Sequence, residues 1–128
     1  MVVMDASAAG ALLFGEPDAD AVAARLEGER CVAPSLLRYE LASVYAKKVS
    51  RYTGQRSALR EALRLLPRLG IDEVRVPTDG MAELAVESGL TAYDAAYLWL
   101  ARHLDAPLIT LDRRLARAAE DLGLLDPS

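Results

Sequence analysis

A chain of 128 residues, 52% hydrophobic and 27% charged, is long enough for one domain with a real core and too apolar to stay disordered. One cysteine, Cys31, and one histidine, His103, exclude an internal disulfide and a Cys/His zinc site within the chain. The net charge of −4 argues against nucleic acid as a partner, but its distribution argues for it: from Lys47 to Arg68 seven cations stand against one acid, Glu61, for a net +6, so the remainder carries −10.

In chain order, Met1 to Met4 reads as a short buried strand. Ser7 to Phe14 reads as a short Ala-rich helix that Pro17 breaks, and Asp18 to Glu27 as a second helix with an acidic start. Cys31 to Ala33 is a brief strand, after which Pro34 suits the first turn of a helix running to about Ser50. Beyond Gly54 a further helix is expected from about Gln55 to Leu69, kinked or ended near Pro67. Val74 to Val76 is another short strand, and Thr78 to Ser88 a helix closed by Gly89. Thr91 opens a long helix ending near Asp105, Pro107 precedes a strand from Leu108 to Leu111, and Asp112 to Leu122 is the last helix. Cys31 and His103 read as a small core residue and a helix-end residue.

Alternating strands and helices imply an α/β fold, a parallel sheet covered on both faces, in a single domain over residues 1–128. Asp5 interrupts the N-terminal apolar run, no basic segment precedes it, and no apolar stretch approaches bilayer length. A soluble, cytoplasmic protein with no membrane partner is expected.

In such folds ligands bind beyond the carboxyl ends of the strands. Asp5 and Asp112 each end an apolar strand pattern there, and Glu40 and Asp94 lie inside helical patterns on faces that otherwise read as buried. Each acid also has a plainer reading. Asp5 and Asp112 precede helices they could cap, although Ser7 and Thr110 could cap in their place. Thr91 and Asp94 have the spacing of a capping box. Glu40, flanked by Leu36, Leu37, Leu41 and Val44, could pair with a distant arginine. Carboxylates are rarely buried without a cation, and the chain offers these four few cationic partners. A divalent metal bound to hard oxygen ligands accounts for all four at once, and metal-assisted hydrolysis is the chemistry it suggests.

These segments carry a resemblance. Met4-Asp5-Ala6-Ser7, Glu40, the run Thr91-Ala92-Tyr93-Asp94-Ala95-Ala96-Tyr97-Leu98 and the run Leu108-Ile109-Thr110-Leu111-Asp112-Arg113-Arg114-Leu115 are similar to those of PIN-domain ribonucleases. The likeness covers nearly the whole chain and is strongest to the VapC-type toxins of toxin–antitoxin pairs. It implies a three-layer α/β/α fold around a parallel sheet of four to five short strands. Asp5, Glu40, Asp94 and Asp112 then correspond to the acidic quartet that holds metal and carries catalysis, with Ser7 and Thr110 as supporting hydroxyls. It further implies Mg²⁺- or Mn²⁺-dependent cleavage of RNA phosphodiesters, a homodimer, and a VapB-type antitoxin encoded alongside.

Lys47, Lys48, Arg51, Arg56, Arg60 and Arg64 are candidate contacts for RNA or a protein partner, although arginines every four residues are also how a solvated helix face looks. Two other readings compete. A haloacid-dehalogenase-like phosphatase would need a second aspartate two residues after Asp5, where Ser7 stands. A PIN-like module could bind RNA or protein without cutting.

Overall fold

Four strands, β1 (Val2–Met4), β2 (Cys31–Pro34), β3 (Asp72–Val74) and β4 (Leu108–Ile109), pair in the order β3-β2-β1-β4 in the computed structural model, which describes residues 1–127. All pairings are parallel, with Val3 registered against Val32 on one side and Leu108 on the other. Every residue of β1 is buried, as a parallel sheet covered on both faces requires. A single parallel bridge between Leu108 and Leu125 follows on the β4 side.

Helices flank this sheet in two groups. α1 (Ala6–Phe14) packs on α2 (Ala19–Leu26), α3 (Leu37–Arg51) and α4 (Arg56–Arg64). In the other, α6 (Ala92–Leu104) lies against β1, β2 and β4 and joins α5 (Thr78–Ser88) to α7 (Arg113–Asp121). Ala95, Ala96, Tyr97, Leu98, Leu100 and Ala101 are all buried, so α6 supplies much of the core between sheet and outer helices. Its approach to α5 is very close. A Cβ on Gly80 would come within 2.5 Å of the Trp99 indole nitrogen, so a larger residue there would force the tryptophan aside.

The observed four-strand α/β/α arrangement matches the expected class; β4 stops at Ile109, two residues short of the expected Leu111, and three larger departures stand out. Pro34 is the last residue of β2 rather than the start of a helix. Its missing N–H is tolerated at a strand end, and the next residue continues the ladder, Ser35 N donating to Val74 O at 2.9 Å. The third strand is Asp72–Val74, not Val74–Val76. It is an edge strand whose exposed acids are held by ion pairs, Asp72 with Arg30 at 2.8 Å and Glu73 with Arg38, so no apolar pattern marks it. The helix expected over Gln55–Leu69 is divided: α4 ends at Arg64, and Leu66–Leu69 form a 3-10 turn containing Pro67, whose ring cannot join an α-helical ladder. Among the described residues no helix is long and apolar enough to cross a membrane.

Candidate active site

The carboxyl edge of β1 and β4 is where the acids meet. Asp5 N donates to Ile109 O at 3.2 Å, carrying the β1–β4 pairing one residue past Met4 and setting Asp5 beside Thr110. The Asp5 carboxylate is only 4% exposed. Its Oδ1 accepts Ala8 N–H at 3.0 Å, which caps α1, and the Ser7 hydroxyl at 2.7 Å. Its Oδ2 accepts the Thr110 hydroxyl at 2.6 Å. Each hydroxyl in turn accepts a backbone N–H from the chain leaving β4: Leu111 N to Ser7 Oγ at 2.9 Å, and Asp112 N to Thr110 Oγ1 at 3.0 Å. Two hydroxyls thus tie the buried carboxylate to the segment that presents Asp112.

The capping readings resolve in favour of the acids themselves. Asp5 and Asp112, not Ser7 and Thr110, cap their helices; Asp112 Oδ1 accepts Leu115 N–H at 2.9 Å at the start of α7. Thr91 caps α6 by accepting Asp94 N–H at 3.1 Å. Asp94, in the first turn of α6, stays half-buried. Glu40, in the first turn of α3, is also half-buried, and its Oε1 accepts the Tyr97 hydroxyl at 2.6 Å.

The electrostatics join these groups into one cluster. Burial pushes the Asp5 carboxyl above its ordinary range; its hydrogen bonds from Thr110, Ala8 and Ser7 oppose that, and Asp112 adds to it. Glu40 is raised first by burial, with the Tyr97 hydrogen bond opposing and Asp94 and Asp5 adding. Asp94 is raised by burial and then by Asp112, with Thr91 and Arg114 opposing. The Tyr97 phenol is held well above its usual range by burial and by its bond to Glu40. Among the described residues, no three His, Cys, Asp or Glu side chains already stand close enough to enclose a metal ion, but the four acids are near enough to disfavour one another's charge.

The PIN domain family model matches residues 2–121. The chain is a member of the PIN domain family. This PIN domain is 36% identical to Ribonuclease VapC9 of Mycobacterium tuberculosis (strain ATCC 25618 / H37Rv) over 118 residues, covering 91% of the chain and 89% of the relative. It is 36% identical to Ribonuclease VapC12 of the same strain over 121 residues, covering 92% of each. The crystal structure of PAE2754 from Pyrobaculum aerophilum superimposes with a TM-score of 0.74 at 27% identity, covering 91% of this chain and 83% of that one.

The basic candidates of this PIN domain are scattered by comparison with its acids. Lys47 lies on a groove beside Glu40. Lys48 is tied to Glu16 at 2.6 Å, and Arg64 bonds Glu61 at 3.2 Å. Arg51 sits over the Tyr52 ring, and Arg56 and Arg60 are exposed on α4. Sequence reasoning missed two residues that act on the acids. Tyr97 grips Glu40, and its place one helical turn after Asp94 on the same face was the available signal. Arg114 bonds Gly89 O at 3.0 Å and lowers Asp94, a placement only the fold supplies. Cys31 is buried, its thiol pushed up to about 11 by burial and then by Asp72, and His103 stacks on Trp99 at 4.7 Å between ring centres. Both readings of them as structural residues agree with these surroundings.

Proposed function

We propose that this PIN domain is a Mg²⁺- or Mn²⁺-dependent endoribonuclease acting as the toxin of a toxin–antitoxin pair. The observation that carries the reading is the acid cluster: a buried Asp5 held by two hydroxyls, electrostatically coupled to Glu40, Asp94 and Asp112. The donor set suits a hard divalent cation, being carboxylate and hydroxyl oxygen throughout. Burial and mutual repulsion raise three of the four acids, the penalty a nearby cation would relieve. Asp5, Glu40, Asp94 and Asp112 would hold it.

When bound, the cation supplies positive charge that stabilises a scissile phosphate and favours attack by water. The chain's own groups set the geometry. Ser7, Thr110 and the Ala8 N–H fix the Asp5 carboxylate in one orientation. Tyr97 does the same for Glu40 through Oε1. Such outer contacts orient ligands and tune their basicity.

The names of the VapC relatives support RNA as substrate and a VapB-type antitoxin as partner. We further place the protein in the cytoplasm as a homodimer. Purified, partner-free protein should cut a structured RNA with Mg²⁺ or Mn²⁺ and stop with chelator. Cutting that survives chelator, in a preparation free of other nucleases, overturns the metal requirement. Expression alone should arrest growth, and a co-expressed small partner should copurify and relieve it; harmless expression of demonstrably active protein overturns the toxin role.

A further inference from the structure

We propose that Tyr39 and Tyr93 form a stacking platform for unpaired bases of the RNA beside the scissile bond, a proposal that rests on the ribonuclease reading. An open groove of about 630 Å³ borders the acid cluster at Glu40, lined also by Ala6, Tyr39, Val44, Lys47 and Tyr93 among others. Ala6 follows Asp5 in the chain, Glu40 belongs to the quartet, and Tyr93 precedes Asp94. The groove is therefore continuous with the place where the scissile phosphate would lie.

The pairing of each tyrosine with an acid has a geometric cause. Successive residues on a helix point about 100° apart. Glu40 and Asp94 turn toward the centre, so their preceding neighbours on α3 and at the start of α6 turn outward. Tyr39 is 72% exposed and Tyr93 65%, and neither hydroxyl makes a hydrogen bond with the described residues. A single exposed tyrosine is ordinary on a protein surface. Here two line one groove, together with a lysine and a catalytic carboxylate.

The chemistry selects the occupant. The acids repel a polyanion wherever no cation neutralises them, so an RNA strand needs attraction that does not depend on their charge. Aromatic faces provide it, because every base has a π-face and stacking tolerates sequence. Lys47, which makes no ion pair with any described residue, adds a cation for the backbone. The bases must be unpaired, since those of a duplex are already stacked.

The test uses a mixed-sequence single-stranded RNA pool bearing one 2-aminopurine, titrated with the 128-residue chain in chelator. The parent should quench the fluorophore on binding. Tyr39→Ala and Tyr93→Ala should each lose quenching and weaken binding by roughly 5- to 100-fold, as for loss of one base–aromatic stack. Tyr39→Phe and Tyr93→Phe should behave as the parent, because the ring face and not the hydroxyl makes the contact. With Mn²⁺ the alanine variants should raise KM far more than they lower kcat. Alanine variants that bind and quench like the parent overturn the proposal, as do phenylalanine variants that fail equally or a parent that binds no RNA. Alanine variants that cut RNA with parental KM but escape inhibition by the copurified partner assign the groove to protein and overturn it too. A parent that binds and quenches but never cuts removes the ribonuclease reading and leaves the platform standing.

Discussion

Helices α1 and α7 each follow a strand of the sheet, and each is capped by an aspartate whose Oδ1 accepts the N–H three residues on, Ala8 to Asp5 at 3.0 Å and Leu115 to Asp112 at 2.9 Å. Their surroundings differ. Asp5 is buried and also accepts two hydroxyls, whereas Asp112 is exposed and its side chain makes only the capping bond among the described residues. Because β1 and β4 are neighbours, the Ser7 and Thr110 hydroxyls tie the two helix starts together. Capping and catalysis are therefore not rival explanations of an aspartate. A cap occupies one lone pair of a carboxylate, and the remainder stays available for other work.

The sharpest way to break that comparison is to keep the caps and remove the charges. Asn caps about as well as Asp, so Asp5→Asn and Asp112→Asn should each fold normally. RNA cleavage should fall in both by more than the roughly 10- to 100-fold that loss of an outer contact to a metal ligand costs. Thermal melts beside a cleavage assay read both properties, and a fully active Asp112→Asn would mean that its exposed position is a cap alone.

Thr110→Val probes the link between the two helix starts. It removes one donor to Asp5 Oδ2 and the acceptor for Asp112 N while keeping the buried shape. Activity should fall about 10- to 100-fold, as for other residues that orient metal ligands. Stability should drop by about 1.5–3 kcal/mol, the usual worth of a hydrogen bond to a charged group, while the Ser7 hydroxyl at 2.9 Å stays as the remaining donor to Oδ2. Urea unfolding checks the second figure, and parental activity in the variant would show that the hydroxyl does not position Asp5.

A smaller effect is expected from pH. Asp5, Glu40 and Asp94 have folded values raised above the ordinary 3.8 for Asp and 4.5 for Glu. Below those ordinary values the groups are protonated folded and unfolded alike. As pH rises through the raised folded values, the unfolded chain has already ionised and the folded one does so at a penalty, so stability is lost. Metal-free parent should therefore gain stability from these groups as pH is lowered from neutral toward the ordinary values, and Asp5→Asn should gain less. Identical pH dependence in the two proteins would contradict the burial of an ionised Asp5.

The smallest effect concerns α4. If Arg56 and Arg60 contact phosphates, Arg56→Gln and Arg60→Gln should each reduce the log–log salt slope of RNA binding by about 0.7. An unchanged slope leaves them as a solvated face.

The acids were legible because their positions contradict their surroundings. Asp5 and Asp112 end apolar runs, and Glu40 stands among Leu37 and Leu41. The layered architecture followed from alternation alone. The edge strand was not legible, because the exposed Asp72 and Glu73 are satisfied by Arg30 and Arg38, distant in sequence. Pro34 misled because its fixed backbone suits a strand end as well as a helix start. Only the fold sets the Tyr97 hydroxyl on Glu40 and brings Tyr39 and Tyr93 to one groove.

The central claim is that two capping aspartates with different surroundings, Asp5 and Asp112, belong to one metal site. Thermal melts of the parent, Asp5→Asn and Asp112→Asn, each with Mn²⁺ and with chelator, test it most directly. A cation at 100 times its dissociation constant stabilises the folded state by about 2.7 kcal/mol. The account predicts a clear Mn²⁺-dependent rise in Tm for the parent and little or none for either variant. An equal rise in all three proteins would contradict it.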